Sequence, residues 1–493
     1  MEGIQTFVDR LPSELLLAIF QLVQLSDDDK TEDQNDEDSD SGLETPSRWL
    51  PAEVLVSHVS RYWRATALGA ATLWRTMRIS VESPLDKLQA YVARSGALVP
   101  LHFQVDLRHS ASAKHDINIE TTRMKLDMVF AERERWQRMR IHTQRECADF
   151  PLFTRLYELG AAPLLERLVL CVDDVDAESL ATAHLRSDDL EQILTSGCPK
   201  LRVLRLRGLS THFFRPSLKT VTTLYIEQTR GLFLGFDGFR GLLTSAPQLT
   251  HLSVHDTLVD DTEEEWPLHI PGVFSSIPMP RLTSLRLALL GSGQPLESGI
   301  LLALRAPRLA ALVVKNPTYA GLTPFATSPG SAFKFPLLRS LTFCEYDYNS
   351  AERLRPLAEA LPGVTHFTRL TSSFAEPSVL LMLAGAWVDI DHRKTMAGDS
   401  DSGSELWVEL HTINTTLDIS DLPLLRRAVE RRRRVGFPLR VVRLPQAVFD
   451  EADEEDEEDM TYLRENLQVF EPLRAMERWP PGEEHDPEDN LFT

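Results

Sequence analysis

Apolar residues recur at a regular spacing through most of the chain, in the form Leu-x-x-Leu-x-Leu or a close variant. The clearest copies span 165–170 and 201–206, and each begins two residues after a proline. Weaker copies begin at positions 221, 249, 282, 309, 338 and 364, so the interval between copies runs from 20 to 36 residues. Because residues two apart in a β-strand face the same side, Leu204 and Leu206 are predicted to point into a core while Arg205 points outward.

Helical stretches separate these predicted strands. Two of them, 238–243 and 298–305, lead to an Ala-Pro pair, and the residue before a proline resists the helical conformation. A unit of one strand and one helix cannot bury its own apolar face, so neighbouring units are predicted to stack into a curved α/β solenoid. The spacing resembles that of leucine-rich repeats. The asparagine or cysteine typical of those repeats is replaced by residues such as Asp173, Leu209 and Pro317, which predicts an irregular solenoid.

This leucine-rich-repeat-like solenoid is predicted to span 79–447. Five further stretches in it have the character of strands: 101–107, 139–142, 387–390, 406–410 and 439–444. The outward positions of the strands are the candidate surface for binding a target protein. Six of them are singled out: Arg205, Tyr225, Ser253, Arg286, Val313 and Thr342. In the alternative interpretation they are ordinary solvated strand residues.

The N-terminal segment has a different pattern, because it is apolar in every direction of a helical wheel. Residues 15–20 read Leu-Leu-Leu-Ala-Ile-Phe, and Pro12 suits a first helical turn, where its missing N–H costs nothing. A surface helix has one apolar stripe, so a helix that is apolar all round must be covered on all sides. Two or three short helices bury too little surface to do this alone. Either the following domain or a partner protein therefore covers the second face.

Two blocks in this region, 11–20 and 59–68, with Leu73 and Trp74 after them, resemble an F-box. The F-box is the helical module through which substrate receptors bind the Skp-type adaptor of a cullin ubiquitin ligase, and fungal F-box proteins have this layout. The resemblance implies a three-helix F-box over 7–78. It assigns nine residues to the module core or the adaptor-facing surface: Leu11, Pro12, Leu15, Leu16, Ile19, Phe20, Val59, Trp63 and Trp74. The chain departs from the family in an acidic insertion, 26–45, which is predicted to be disordered.

The resemblance implies that the chain delivers a target rather than catalyses a reaction. It implies the substrate-recognition subunit of a Skp–cullin–F-box ubiquitin ligase, in which the F-box binds the adaptor, and through it a cullin, while the solenoid binds an unknown target protein. The chain is not expected to be an enzyme, and it contains no phosphate-binding glycine loop, Gly-x-Ser-x-Gly or His-Glu-x-x-His motif. The alternative is a leucine-rich-repeat scaffold outside any ligase, whose F-box-like end is a structural cap.

The net charge of −21 is unevenly distributed. The segments 26–45 and 450–459 carry −9 each, which leaves −3 for the rest of the chain. A nearly neutral folded region lacks the basic stripe that nucleic-acid binding requires, so nucleic acid is not an expected partner. The second acidic segment lies in a C-terminal region, 448–493, that is predicted to be an acidic and largely disordered tail.

Six arginines lie within 426–434 and have two interpretations. They are a nuclear import signal or binding patch, or they are the solvated side of a repeat helix. Apolar residues such as Leu425, Ala428 and Val429 make an apolar face in the same stretch, which favours the repeat helix. Gly436 is predicted to end that helix.

The remaining composition concerns cofactors and location. The four cysteines have no metal-ligand spacing, so neither a metal nor another cofactor is expected, and they are typical of reduced intracellular thiols. Residues 1–5 lack the basic and apolar regions of a signal peptide. The longest apolar run, 379–388, is far shorter than the ~20 residues of a membrane span. We therefore expect a cytoplasmic or nuclear protein that is not secreted and has no membrane partner.

Overall fold

The computed structural model describes residues 11–30, 50–107, 119–144, 155, 158, 160–173, 193–227, 235–255, 277–289, 296–345, 351–371, 378–389, 394–397, 406–453, 456–473 and 479–480. These residues form a mixed α/β structure with one long parallel sheet, so the predicted α/β class is confirmed. Helices and strands alternate along most of the described chain, and one continuous apolar core joins them.

Eighteen strands are present in the described residues. In chain order they are β1 (Thr76–Ser80), β2 (Leu101–Asp106), β3 (Trp136–Gln144), β4 (Arg167–Asp173), β5 (Val203–Gly208), β6 (Thr223–Glu227), β7 (His251–His255), β8 (Ile277–Pro278), β9 (Ser284–Ala288), β10 (Leu304–Arg305), β11 (Ala311–Lys315), β12 (Ser340–Cys344), β13 (His366–Leu370), β14 (Ala386–Asp389), β15 (Lys394–Ala397), β16 (Thr412–Thr415), β17 (Val441–Leu444) and β18 (Val469–Pro472).

Fourteen of these strands form a single sheet, in the order β1-β2-β3-β4-β5-β6-β7-β9-β11-β12-β13-β16-β17-β18. Every pairing within it is parallel. Two small sheets, β8 with β10 and β14 with β15, lie outside it. The spatial order of the long sheet follows the sequence, so each strand of the sheet pairs with the sheet strands before and after it in the chain.

Fourteen α-helices accompany the strands in the described residues. They are α1 (Ser13–Lys30), α2 (Ala52–Val59), α3 (Arg61–Gly69), α4 (Leu85–Arg94), α5 (Ile119–Ala131), α6 (Ser210–Phe213), α7 (Phe236–Thr244), α8 (Leu296–Ala303), α9 (Tyr319–Ala326), α10 (Ala351–Ala360), α11 (Ser378–Ala384), α12 (Leu422–Arg434), α13 (Gln446–Glu451) and α14 (Glu457–Asn466). Short 3-10 helices lie at Ala71–Trp74, Arg133–Arg135, Ser331–Phe333 and Ile419–Asp421.

The two faces of the long sheet differ in what covers them. Leu204 and Leu206 point to the helix side, as predicted, and both are fully buried in the main core together with Phe239 of α7. Residues at the alternate positions lie on the opposite face, which we call the outer face. A separate small apolar cluster there contains Ala288 and Val313.

The regular copies of the apolar pattern place eight of the fourteen strands of the long sheet. All eight copies from 165 to 364 lead into strands of the long sheet, which are β4, β5, β6, β7, β9, β11, β12 and β13. The strands predicted at 101–107 and 139–142 are confirmed as β2 and as part of β3. The last strand predicted at 439–444 is confirmed as β17.

Two late strands differ from the prediction. Residues 406–410 form a turn, because Trp407 adopts a left-handed φ of 47° and its carbonyl accepts a hydrogen bond from the Leu410 N–H at 2.9 Å. The Trp407 indole is buried and donates to the Leu361 carbonyl at 2.9 Å, so its bulk fills the core while the strand itself begins later, at β16. The strand predicted at 387–390 is β14, which pairs antiparallel with β15 outside the long sheet.

The C-terminal region also differs from the predicted disordered tail over 448–493. Its described part contains most of α13, all of α14, and β18, which extends the long sheet by pairing with β17. The physical reason is the apolar set Met460, Leu463 and Leu467, whose spacing puts these residues on one helix side among the acidic residues. All three are buried. Residues 481–493 lie outside the described part.

The predicted acidic insertion over 26–45 is described only in its first residues. Helix α1 continues through Lys30, so the segment 26–30 is helical rather than disordered. The rest of that prediction, over 31–45, lies outside the described residues. The helix therefore extends five residues into the segment that its acidic composition assigned to disorder.

The arginine-rich helix is confirmed as α12, and it ends at a turn in which Gly436 has a positive φ of 86°. One of its arginines is not solvated as the sequence suggested. Arg432 is fully buried and donates hydrogen bonds of 2.8 to 3.0 Å to the carbonyls of Phe437, Leu406, Trp407 and Leu410. A guanidinium with five donors can serve several carbonyls of a turn at once, so Arg432 has a structural role.

Candidate functional site

The nine residues predicted for the adaptor-binding module lie on or beside α1, α2, α3 and the 3-10 helix that follows, and the structure sorts them into three groups. One group is buried in the core: Leu16, Phe20 and Trp74. A second is partly buried against it: Leu11 and Trp63. The third is exposed: Pro12, Leu15, Ile19 and Val59. The module therefore has an inward side and an outward side, and both are apolar.

Helix α1 shows the two sides most clearly. Leu16 and Phe20 are one turn apart on the inward side. Leu15 and Ile19 are also one turn apart and are 54% and 41% exposed. Six large apolar residues with at least 38% exposure on α1 and α2 form what we call the apolar helical surface: Leu15, Ile19, Leu22, Val23, Leu55 and Val59. Exposed apolar groups on adjacent helices are typical of protein-binding surfaces.

A buried polar network fixes the helices to the start of the sheet. The Trp74 indole donates to the Ala67 carbonyl at 2.9 Å, and its ring packs edge-on against Tyr91 of α4 at 5.1 Å. The Tyr91 hydroxyl donates to the Glu53 carboxylate at 2.5 Å, which also accepts from Gln24 at 3.2 Å. Burial and the neighbouring Glu53 raise the pKa of Tyr91, so the phenol keeps the proton that it donates.

The six predicted target-binding residues are neighbours in the long sheet. Parallel pairing places Arg205, Tyr225, Ser253, Arg286, Val313 and Thr342 side by side on six adjacent strands, β5 to β12. The same register continues through all fourteen strands. We call the complete set the outer row: Arg78, Gln104, Arg140, Val169, Arg205, Tyr225, Ser253, Arg286, Val313, Thr342, Thr368, Asn414, Arg443 and Glu471.

Although the six predicted residues face outward, none of them is more than 7% exposed. Arg205 forms an ion pair with Glu227 of the next strand, with 2.5 Å between Nη2 and Oε1. Val313 packs in the small apolar cluster with Ala288 and Cys344. Strands ~4.8 Å apart bring such side chains into contact, so the outer face is closely packed.

One residue from the C-terminal region covers part of this face. Trp479 comes seven residues after β18, yet its ring packs edge-on against Tyr225 at 5.4 Å and His251 at 5.7 Å. The Arg286 guanidinium lies 4.4 Å from the centre of the same ring. The indole N–H donates to the Ser284 hydroxyl at 2.7 Å. Trp479 is thus held by three strands, β6, β7 and β9.

Two titratable groups of the outer face, His251 and Cys344, are held uncharged by burial. Burial, and secondarily the Arg286 cation, lower the pKa of His251, which favours the neutral imidazole at neutral pH. Burial raises the pKa of the Cys344 thiol to about 11. A thiol with that pKa is a poor nucleophile, so Cys344 contributes packing to this face.

Sequence reasoning missed several residues of both surfaces. Leu22 and Val23 lie one further turn along α1 from Ile19, so the period of the helix contained the signal that would have found them. Trp479 follows from no local pattern. The signal available was a tryptophan and two prolines in an otherwise acidic region, which composition alone assigned to disorder.

Comparison with known proteins gave no assignment, because no protein-family model and no curated protein matches the chain. None of the helices in the described part is both long and apolar enough to span a membrane. In that same part, no group of three or more histidine, cysteine, aspartate or glutamate side chains is placed to hold a metal ion.

Proposed function

We propose that this chain is the substrate-recognition subunit of a Skp–cullin–F-box ubiquitin ligase. In this proposal α1, α2 and α3 form an F-box that binds a Skp-type adaptor. The long sheet and its helices form a leucine-rich-repeat-like solenoid, whose outer face selects the target protein. The chain would supply no catalytic group, since holding a target near a ubiquitin-carrying enzyme raises its local concentration and speeds transfer.

The observation that carries the proposal is the apolar helical surface. Its residues alternate along α1 and α2 with core residues such as Leu16, Phe20 and Val56, and each keeps 38–67% of its own surface exposed. Fully burying one such side chain is worth ~1.5–3 kcal/mol. Because the six side chains are only 38–67% exposed, burying the remainder against a partner would contribute a fraction of this value for each of them.

The long sheet supports the second half of the proposal. Its strands pair in sequence order, and the resulting outer row presents fourteen aligned positions on one face. Solenoid proteins use extended surfaces of this kind to bind other proteins.

Co-purification with a recombinant Skp-type adaptor tests the proposal. We expect the wild-type chain to retain the adaptor and Leu15→Asp with Ile19→Asp to weaken retention by at least ~10-fold, because a charge at the centre of an apolar interface is costly. Leu98→Asp is the matched control, since Leu98 is 94% exposed and lies outside the three helices. Melting temperatures must show that all variants are folded. A folded wild-type chain that never retains the adaptor contradicts the proposal.

A second candidate function is a scaffold whose N-terminal helices are a structural cap. The observation in its favour is the network of Trp74, Tyr91 and Glu53, which joins the helices to the first strand-and-helix unit. Terminal units of solenoids are commonly covered in this way. The scaffold function predicts that Leu15→Asp with Ile19→Asp leaves every interaction of the chain unchanged, whereas removal of Trp74 lowers its stability.

A further inference from the structure

Trp479 occupies a pocket on the outer face that is matched to its chemistry. Tyr225 and His251 contact the ring edge-on, the geometry that aromatic pairs prefer. Arg286 places its cation against the ring at 4.4 Å, where the electron-rich face of an indole attracts positive charge. Ser284 accepts the indole N–H, a hydrogen bond that phenylalanine could not make. The pocket therefore distinguishes tryptophan from other apolar residues.

The pocket coincides with the centre of the proposed target-binding surface. Tyr225 and Arg286 are two of the six predicted target-binding residues, and Ser253 lies between them in the outer row. Ser284 and Trp479 are separated by 195 positions in the chain, so the contact is a long-range one. Trp479 is partly buried, and Pro480 next to it is buried. The segment that carries Trp479 therefore competes with any target that binds the same outer-face residues.

Charge adds a second element of recognition. The thirteen residues after Pro480 contain five acids, Glu483, Glu484, Asp486, Glu488 and Asp489, and no lysine or arginine. Strands β3 to β9 place Arg138, Arg140, Arg167, Arg207 and Arg286 at outer-face positions. Opposite charges of this kind steer a segment toward a surface and set its orientation.

We propose that the outer face at β6, β7 and β9 recognises a tryptophan within an acidic segment of the target protein, and that Trp479 occupies this pocket until a target displaces it. This proposal rests on the proposed function, because it assigns a chemical class to the target of that receptor. An occupant in the same chain has a high effective concentration. The affinity for a target is therefore reduced by the fraction of molecules whose pocket is filled.

Fluorescence anisotropy with a labelled synthetic peptide of residues 477–489 tests the proposal on the full chain. We expect Trp479→Ala to bind the peptide at least ~10-fold more tightly than the wild type, because the pocket is then empty. Replacing the tryptophan of the peptide by phenylalanine should weaken binding, and replacing it by alanine should abolish binding. Replacing the acids of the tryptophan-containing peptide by the corresponding amides should also weaken its binding.

Two second-site variants in the Trp479→Ala chain locate the binding. Arg286→Met should reduce peptide affinity at least ~10-fold, since it removes the cation from the pocket wall. Arg443→Met is the matched control, because Arg443 belongs to the same row but lies on β17, at the far end of the sheet. Ser284→Ala should reduce the preference for tryptophan over phenylalanine. Melting temperatures of all variants show whether they are folded.

Several results would overturn the proposal. One is a folded Trp479→Ala chain that binds the peptide no better than the wild type does. Another is peptide binding that survives replacement of the tryptophan in the peptide. A third is that Arg286→Met and Arg443→Met reduce peptide affinity equally. The assay contains no adaptor, and the adaptor test uses variants of α1. Loss of adaptor binding with intact peptide binding would therefore contradict only the ligase function, and the reverse would contradict only the pocket.

Discussion

Glu297 is a buried carboxylic acid whose protonation should affect stability. It lies in the first turn of α8, is 4% exposed, and its carboxylate lies against Gly321 of α9. Burial raises its pKa from 4.5 to about 7. Because the folded pKa lies above the unfolded one, the folded state holds a proton that the unfolded chain releases between these values. The stabilisation is fully present below pH 4.5 and is lost as the pH rises through 7.

The loss of stabilisation with rising pH gives a prediction for Glu297→Gln, which removes the titration while keeping the shape of the side chain. The free energy of unfolding of the variant relative to the wild type should increase by on the order of 2 kcal/mol between pH 5 and pH 8. Urea denaturation at the two pH values measures it. Asp237→Asn is the control, because Asp237 is exposed on α7. A difference between Glu297→Gln and wild type that does not change with pH would show that the carboxyl is not titrating.

At the same scale, the sequence predicts the direction of a side chain better than its exposure. The period of two correctly turned Arg205 and Tyr225 away from the helices, because that period follows from strand geometry. Their burial depends on Glu227 in the next strand and on Trp479, which is more than 250 positions later in the chain. No window of sequence around Arg205 contains that information.

Among the elements, α14 offers the clearest test of the C-terminal region. Leu463 is fully buried, and α14 packs against α12 and β18. We expect Leu463→Ala to lower the free energy of unfolding by ~2–4 kcal/mol, through lost burial and the cavity that remains. Thr461→Ala on the exposed side of the same helix should change it by less than ~0.5 kcal/mol. Equal urea denaturation midpoints for wild type and Leu463→Ala would mean that α14 contributes nothing to the folded core.

The elements also show where prediction from sequence succeeds. The strands from β4 to β13 in the long sheet follow from Leu-x-x-Leu-x-Leu, since this pattern is local and repeats. Strands β1 and β18 were missed, because each has polar or charged residues among few apolar ones and depends on a neighbouring strand for its partner. For the candidate site, the sequence showed that residues 15–20, which lie in α1, are apolar in every direction. It could not show which side of α1 packs against the rest of the chain, because that packing depends on Trp74 and Tyr91, which lie outside the helix.

At the scale of the whole described structure, each strand of the long sheet pairs with its neighbours in the chain order of the sheet. In such an array, stability is approximately a sum of unit and nearest-neighbour contributions. The contact of Trp479 with β6, β7 and β9 is an exception, because it joins a residue beyond the last strand to the middle of the sheet. A destabilising substitution at one end of the sheet should therefore affect mainly the adjacent strands. The one long-range effect expected is between the segment that carries Trp479 and strands β6, β7 and β9.

Hydrogen exchange measured by mass spectrometry tests this picture with one variant at each end. Leu463→Ala should speed exchange in β16, β17 and β18 while β1 to β4 keep their protection, because local openings in a linear array involve adjacent units. Leu88→Ala, which removes a buried side chain of α4, should speed exchange in β1 and β2 and leave β16 to β18 unchanged. If either variant speeds exchange equally along all fourteen strands, the sheet opens as a single cooperative unit and the nearest-neighbour description is wrong.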